Sequence, residues 1–189
     1  MTTVAKQAAE PVIDCKTKLF TISSWLIARL PEDASAKLPS RGQAMVKGTI
    51  NGYDFWTPLE PDGKWGHWFR IPDALSKAIG VSAGDTVTLH LEPLKEWPNP
   101  DVPADLWQAV QTHPEAKAMW ASITPMARWE WVRWTRSTNN AETRKRRVEV
   151  ACSKMKAGKR RPCCWNRNLS TEPSVSKNGV LLDPATPAK

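Results

Sequence analysis

AMVKGTI (Ala44 to Ile50), Asn51-Gly52 and YDFWTPL (Tyr53 to Leu59) form the stretch on which the fold turns. Asn-Gly tolerates positive φ at both central positions of a type I′ turn, and β-type runs flank it on either side, which predicts a hairpin. Upstream, KLFTISSWLIA (Lys18 to Ala28) leads as a first strand candidate, followed by a polar loop from Pro31 to Gly42. Downstream, Pro61-Asp62-Gly63 turns the chain into a further strand, Trp65 to Ile71. Pro72 to Ile79 reads as a short helix with Pro near its start and Gly80 stopping it. Gly84-Asp85 then turns into TVTLHLE (Thr86 to Glu92), whose alternation sends Val87, Leu89 and Leu91 to the core and His90 outward. Five short strands and one short helix predict a small barrel in which Gly52, Gly84 and Asp85 are structural.

Beyond PNPDVP (Pro98 to Pro103), read as a linker, helical signals take over. Ala104 to Gln111 and Pro114 to Ser122 are two short helices. Thr124-Pro125 opens a third as N-cap and first helical residue, and Asn140 caps a fourth that runs to about Ala157, with Gly158 just past its end. On the fourth helix Val148, Ala151, Cys152 and Met155 share one stripe, which marks the buried face. Arg144 falls inside that stripe, so it is read as structural, its stem packed and its guanidinium paired. On the third helix Trp131 and Trp134 fall on one side with Ala127, while Trp129 and Val132 fall on another. Such a helix is either buried on two sides or leaves one Trp side exposed.

The expected class is α+β: a small double-split β-barrel followed by a compact helical domain and a disordered C-terminal tail. The expected boundaries are a flexible N-terminus over 1–16, the barrel over 17–96, the linker over 97–103, the helical domain over 104–166 and the tail over 167–189.

The chain of 189 residues is 41% hydrophobic and 24% charged with a mean hydropathy of −0.48, which excludes collagen, a fully disordered chain and a multi-pass membrane protein. No stretch approaches the roughly 18 apolar residues of a membrane span, and Met1 to Cys15 lacks the apolar run of a signal peptide, so a cytoplasmic location is expected. The formal charge of +8 is concentrated: Arg128 to Arg167 holds thirteen Lys and Arg against three Glu, and the remainder is slightly acidic. Eleven Trp accompany one Tyr and three Phe. Interleaved cations and Trp have the composition of phosphate contacts plus stacking surfaces. The candidate surface for a partner or polyanion is therefore Arg128, Trp131, Arg133, Trp134, Arg136, Lys145, Arg146, Arg147, Lys159, Arg160 and Arg161. The competing reading is a solvated helix face with Trp in the core.

Three His (67, 90, 113) stand apart from any Ser, Cys or carboxylate in a catalytic string, and there is no Walker loop or GxGxxG, so no enzyme is expected. The four Cys (15, 152, 163, 164) read as free thiols of a reducing compartment. Cys163 and Cys164 are adjacent, whereas zinc ligands are normally spaced as C-x₂₋₄-C, so neither metal nor cofactor is expected.

IPDALSKAIGVSAGDTVTLHL (Ile71 to Leu91) resembles the strand, helix, Gly-Asp turn and strand of AbrB/MazE-type double-split barrels. The larger segment from Phe20 to Glu92, with VKGTING at Val46 to Gly52, is similar to a bacterial domain family of unknown function with that fold. ARWEWVRWTRSTNNAETRKRRVEVACSKMKAGKRRPCCWN (Ala127 to Asn166) resembles the YdeI/OmpD-associated, bacteriocin-protection family. The marks are the Trp131 to Trp134 spacing, Glu142-Thr143-Arg144 with Arg147, and the Gly158 to Trp165 block. Asn166-Arg167-Asn168 departs from relatives that continue with Pro, Gly and another Cys. This resemblance implies a non-enzymatic protein that binds a partner and serves resistance to bacteriocins or antimicrobial peptides. The barrel type implies a monomer or homodimer. The expected partner is a protein or a polyanion, and the alternative function is a nucleic-acid-binding regulatory module.

Overall fold

A computed structural model describes residues 12–162, 174–176 and 178–184 in two units, one of 1–96 with 180–189 and one of 97–179. The first is a closed barrel of six antiparallel strands in the order β1-β2-β5-β4-β3-β6. The strands are β1 (Ile13–Ile22), β2 (Trp25–Arg29), β3 (Ala44–Ile50), β4 (Tyr53–Pro61), β5 (His67–Ile71) and β6 (Thr86–Leu94). Two short helices interrupt them, α1 (Glu32–Ala36) and α2 (Asp73–Ile79).

The hairpin β3-β4 forms where the Asn-Gly signal lies, with Asn51 at φ 49° and Gly52 at φ 84°. β6 lies between β3 and β1, and Val87, Leu89 and Leu91 are buried with Val46, Ile50, Leu59, Phe69 and Leu19, while His90 is exposed. Gly48 faces Leu91 in the β3-β6 ladder, and a Cβ there would overlap the backbone carbonyl of His90. Glycine at this place is what lets the two strands approach. Gly84, at φ 99°, donates its N–H to Leu19 O, and the Asp85 carboxylate accepts from Ser82 N, so this turn clips β1 to the start of β6.

Several boundaries move. The expected single strand Lys18 to Ala28 is a hairpin that reverses at Ser23, which has φ 55°, and this supplies the sixth strand. β1 also begins at Ile13, inside the expected flexible N-terminus, because its register against β6 continues through Ile13 opposite Leu91. The loop Pro31 to Gly42 contains α1, whose Ala34 and Ser35 are buried. The strand expected from Trp65 starts at His67, because Trp65 has φ 70° and belongs to the preceding turn. Part of the expected disordered tail is folded: Val175 and Leu181 are buried, and Leu181 N–H donates to Asp62 O at 3.0 Å. The rest of that tail, 167–173, 177 and 185–189, lies outside the described residues.

The second unit holds α3 (Ala104–Gln111), α4 (Pro114–Ser122), α5 (Pro125–Arg136) and α6 (Ala141–Lys156). The Thr124 side chain accepts from Ala127 N and that of Asn140 from Thr143 N, so both expected N-caps form. Leu106, Val110, Trp120, Ile123, Trp131, Val132, Ala151, Cys152 and Met155 share one core. α5 is buried on more than one side: Trp131 lies in that core, and Trp129 is buried with its indole N–H donating to Pro98 O at 2.8 Å. The expected linker is thus bonded to α5, and Arg136 adds a further bond to Asp101 O.

Candidate partner-binding surfaces

The cations expected on one surface divide into two groups. Arg144 forks onto Asp105 and also donates to Thr135 O at 3.1 Å, which is the structural role its place in the apolar stripe implies. Arg147 donates to Trp134 O at 2.8 Å and to Ser137 Oγ, with its guanidinium 5.7 Å from the Trp134 ring. Burial pushes the Arg147 and Arg136 pKa values down from the usual arginine value. Arg161 pairs with the buried carboxylate of Glu130, and Arg133 is itself buried. Arg128 donates to Trp120 O, Ala121 O and Asn99 Oδ1. Arg160 is exposed, but its guanidinium donates to Ser122 O and its carbonyl accepts from the Trp131 indole.

Lys145, Arg146 and Lys159 are exposed, as is Lys156. Glu142 and Glu149 are exposed on the same helix at the i,i+4 spacing from Arg146 and Lys145, so that face is mixed in sign. The Trp residues of the candidate surface are likewise corrected. Trp131 is fully buried and offers no ring face to a base, and Trp134 packs edge-on against it at 6.1 Å. Lys154 and Arg147 both stand 5.7 Å from the Trp134 ring.

A pocket of about 320 Å³ that no local motif announces lies in this unit, lined by Asn99, Pro100, Val102, Trp107, Trp120 and Arg128. Trp107 and Trp120 are tilted at 59° with centroids 6.3 Å apart. A second pocket, about 290 Å³, lies in the barrel unit between Phe20, Arg29, Asp62, Lys64 and the segment Leu181 to Pro184. Asp62 is its buried anchor, accepting from Lys64 N, Gly66 N and Arg29 Nε, each at 2.8 Å. Burial pushes this carboxyl up, but the two amides and Arg29 outweigh it and hold it below the usual carboxylate range.

The remaining reactive side chains are dispersed. His67 is buried with Nε2 2.9 Å from Gly42 O, and exposed His90 pairs with Asp14 across β1 and β6. Burial pushes the Cys15 and Cys152 thiols up, the reverse of an activated thiolate. Cys163 and Cys164 lie outside the described residues. Among the described residues, no group of three or more His, Cys, Asp or Glu could hold a metal ion, and no helix is long and apolar enough to cross a membrane.

These features define an α+β protein in which a closed antiparallel barrel precedes a four-helix unit carrying an aromatic pocket. Residues 14–91 match the family described as Domain of unknown function (DUF1905), and residues 99–158 match the one described as Bacteriocin-protection, YdeI or OmpD-Associated. The two matches fall on different units, the YdeI/OmpD-associated model on the helices and the DUF1905 model on the barrel, in line with the resemblances carried by those segments. Neither description names a catalytic activity. No curated protein matches the chain.

Proposed function

We propose that this protein acts without catalysis, by binding a partner, and that it protects the cell that makes it against bacteriocins or cationic antimicrobial peptides. The family description supports the protective role. The observation that carries the binding mode is the engagement of Arg128, Arg144, Arg147 and Arg161 by backbone carbonyls and carboxylates of their own unit. Cations held this way build the fold and are not free for phosphates. What remains exposed is a helix face of mixed sign on α6 and, on α3, the partly exposed Trp107, an aromatic type enriched at protein interfaces. The test is survival of a strain lacking the gene under a cationic antimicrobial peptide. Restoration by the wild-type chain is the expected result, and equal killing with and without it overturns the protective role.

A second reading, a nucleic-acid-binding module, is favoured by one observation: Lys145, Arg146, Lys156 and Lys159 are all exposed. Four phosphate contacts would give a slope of about −3.6 for log K against log salt on duplex DNA. Fluorescence anisotropy of labelled duplex and single strands measures it, and absence of binding at low salt eliminates this reading.

A further inference from the structure

We infer that the pocket walled by Trp107, Trp120, Pro100 and Val102 beside Arg128 is a binding site for a small aromatic carboxylate. Its volume of about 320 Å³ falls at the lower end of small-molecule sites. Two indoles, a proline ring and a valine make its walls apolar, and of the two indoles Trp107 is the exposed one, available to an aromatic body.

The polar equipment determines the other end of the ligand. Arg128 uses Nε on Trp120 O at 3.1 Å, Nη2 on Ala121 O at 3.1 Å and Nη1 on Asn99 Oδ1 at 2.6 Å. Those bonds take three of the five guanidinium N–H groups and fix the plane, leaving two donors. Asn99 accepts through Oδ1, so its amide NH₂ is also left as a donor. The lining side chains thus bring donors and a positive charge from Arg128 and Asn99. Arg128 already meets three neutral oxygens and stands 6.0 Å from the Trp120 ring but, among the described residues, meets no anion. A cationic ligand is repelled here, and a carboxylate supplies the missing negative charge together with acceptors for the remaining donors.

Arg128 is already held by three acceptors, so little ordering remains for a ligand to impose on it. The sequence treats Arg128 as one cation of a long basic run, and only the packing of Asn99, α3, α4 and α5 around it makes a pocket. This site is independent of the protective role and of any macromolecular partner.

The probes are indole-3-acetate and its uncharged counterpart indole-3-acetamide, titrated calorimetrically into the full chain. Binding of the acid about tenfold tighter than the amide is expected from a charge-assisted contact. Trp107→Ala should weaken the acid by about tenfold or more. Trp107 is 38% exposed and lies outside the helical core, so the variant keeps its fold, checked by circular dichroism. Equal affinity for acid and amide, no heat up to millimolar acid, or unchanged binding by Trp107→Ala each overturns the assignment.

Discussion

Arg144 of α6 grips Asp105 of α3 with both arms of its fork, Nε to Oδ2 at 2.7 Å and Nη2 to Oδ1 at 2.9 Å. Its third donor reaches Thr135 O at the end of α5, so one guanidinium joins three helices. Asp105 remains 45% exposed, so screening limits what this pair contributes. Arg144→Met and Asp105→Asn should each cost about 1 kcal/mol, with a coupling of similar size in a double-mutant cycle by urea unfolding. Strictly additive losses would show that the fork is idle.

The same pair has a pH signature. The Arg144 hydrogen bond, acting against burial, holds the Asp105 carboxyl below the usual carboxylate range. A depressed folded pKa contributes stability above the unfolded value, about 3.9, and loses it as pH falls through the folded value. The stability gap between wild type and Arg144→Met should therefore be full at pH 6 and shrink toward pH 3. Thermal melts at both pH values measure it, and a constant gap would contradict the linkage.

Asp62 is the fully buried partner of Arg29, and its carboxylate also holds the amides of Lys64 and Gly66. Asp62→Ala strips several donors of their acceptor and should cost about 2–3 kcal/mol. Arg29→Ala should cost less, because the guanidinium side is 45% exposed and the two amides still hold the carboxylate. Denaturant midpoints rank the two, and the reverse order would refute the assignment of Asp62 as anchor.

Gly48 and Gly52 stand four residues apart and should respond differently to alanine. At Gly48 the new Cβ meets the His90 carbonyl, a backbone group that cannot swing aside as a side chain would, so Gly48→Ala should abolish the barrel or cost more than about 3 kcal/mol. At Gly52 nothing lies within 4 Å, and the cost is only that of φ 84°, about 1 kcal/mol. Circular dichroism melts of both variants decide, and comparable losses would contradict the close approach.

Arg146 and Arg147 are chain neighbours with different employment. Arg147 holds Trp134 O and Ser137 Oγ, so Arg147→Ala should destabilise by about 1–2 kcal/mol. Arg146 is exposed, and Arg146→Ala should stay within about 0.5 kcal/mol. Equal effects on thermal unfolding would remove the distinction between structural and surface cations.

The elements themselves were legible locally. Asn51-Gly52, Gly80 and Gly84 each adopt the positive φ that their place in the chain implied, and α4 to α6 start at the Pro, Thr and Asn signals. Turn and cap chemistry acts over two to four residues, which a sequence displays directly. The misplaced features were those without such a local signal. The reversal at Ser23-Ser24 has no Gly or Asn, and Ile13 to Lys16 is strand because β6 pairs with it from across the barrel.

The sequence by itself determined the periodicities: a β-rich first half, four helices after Pro103, two of them with side-chain N-caps, and a basic segment from Arg128 onward. It also put Val148, Ala151, Cys152 and Met155 on the buried face and Arg144 among them. Only the tertiary structure decided which cations and Trp residues are surface. A helix wheel shows which residues share a face, but whether that face meets carbonyls, a carboxylate or solvent depends on neighbours distant in sequence. Glu130 finds Arg161, Asp105 finds Arg144, and Asn99 with Trp107 and Trp120 surrounds Arg128. Long-range packing thus turned a run of positive charge into internal struts, and it built the aromatic pocket from residues that no local pattern connects.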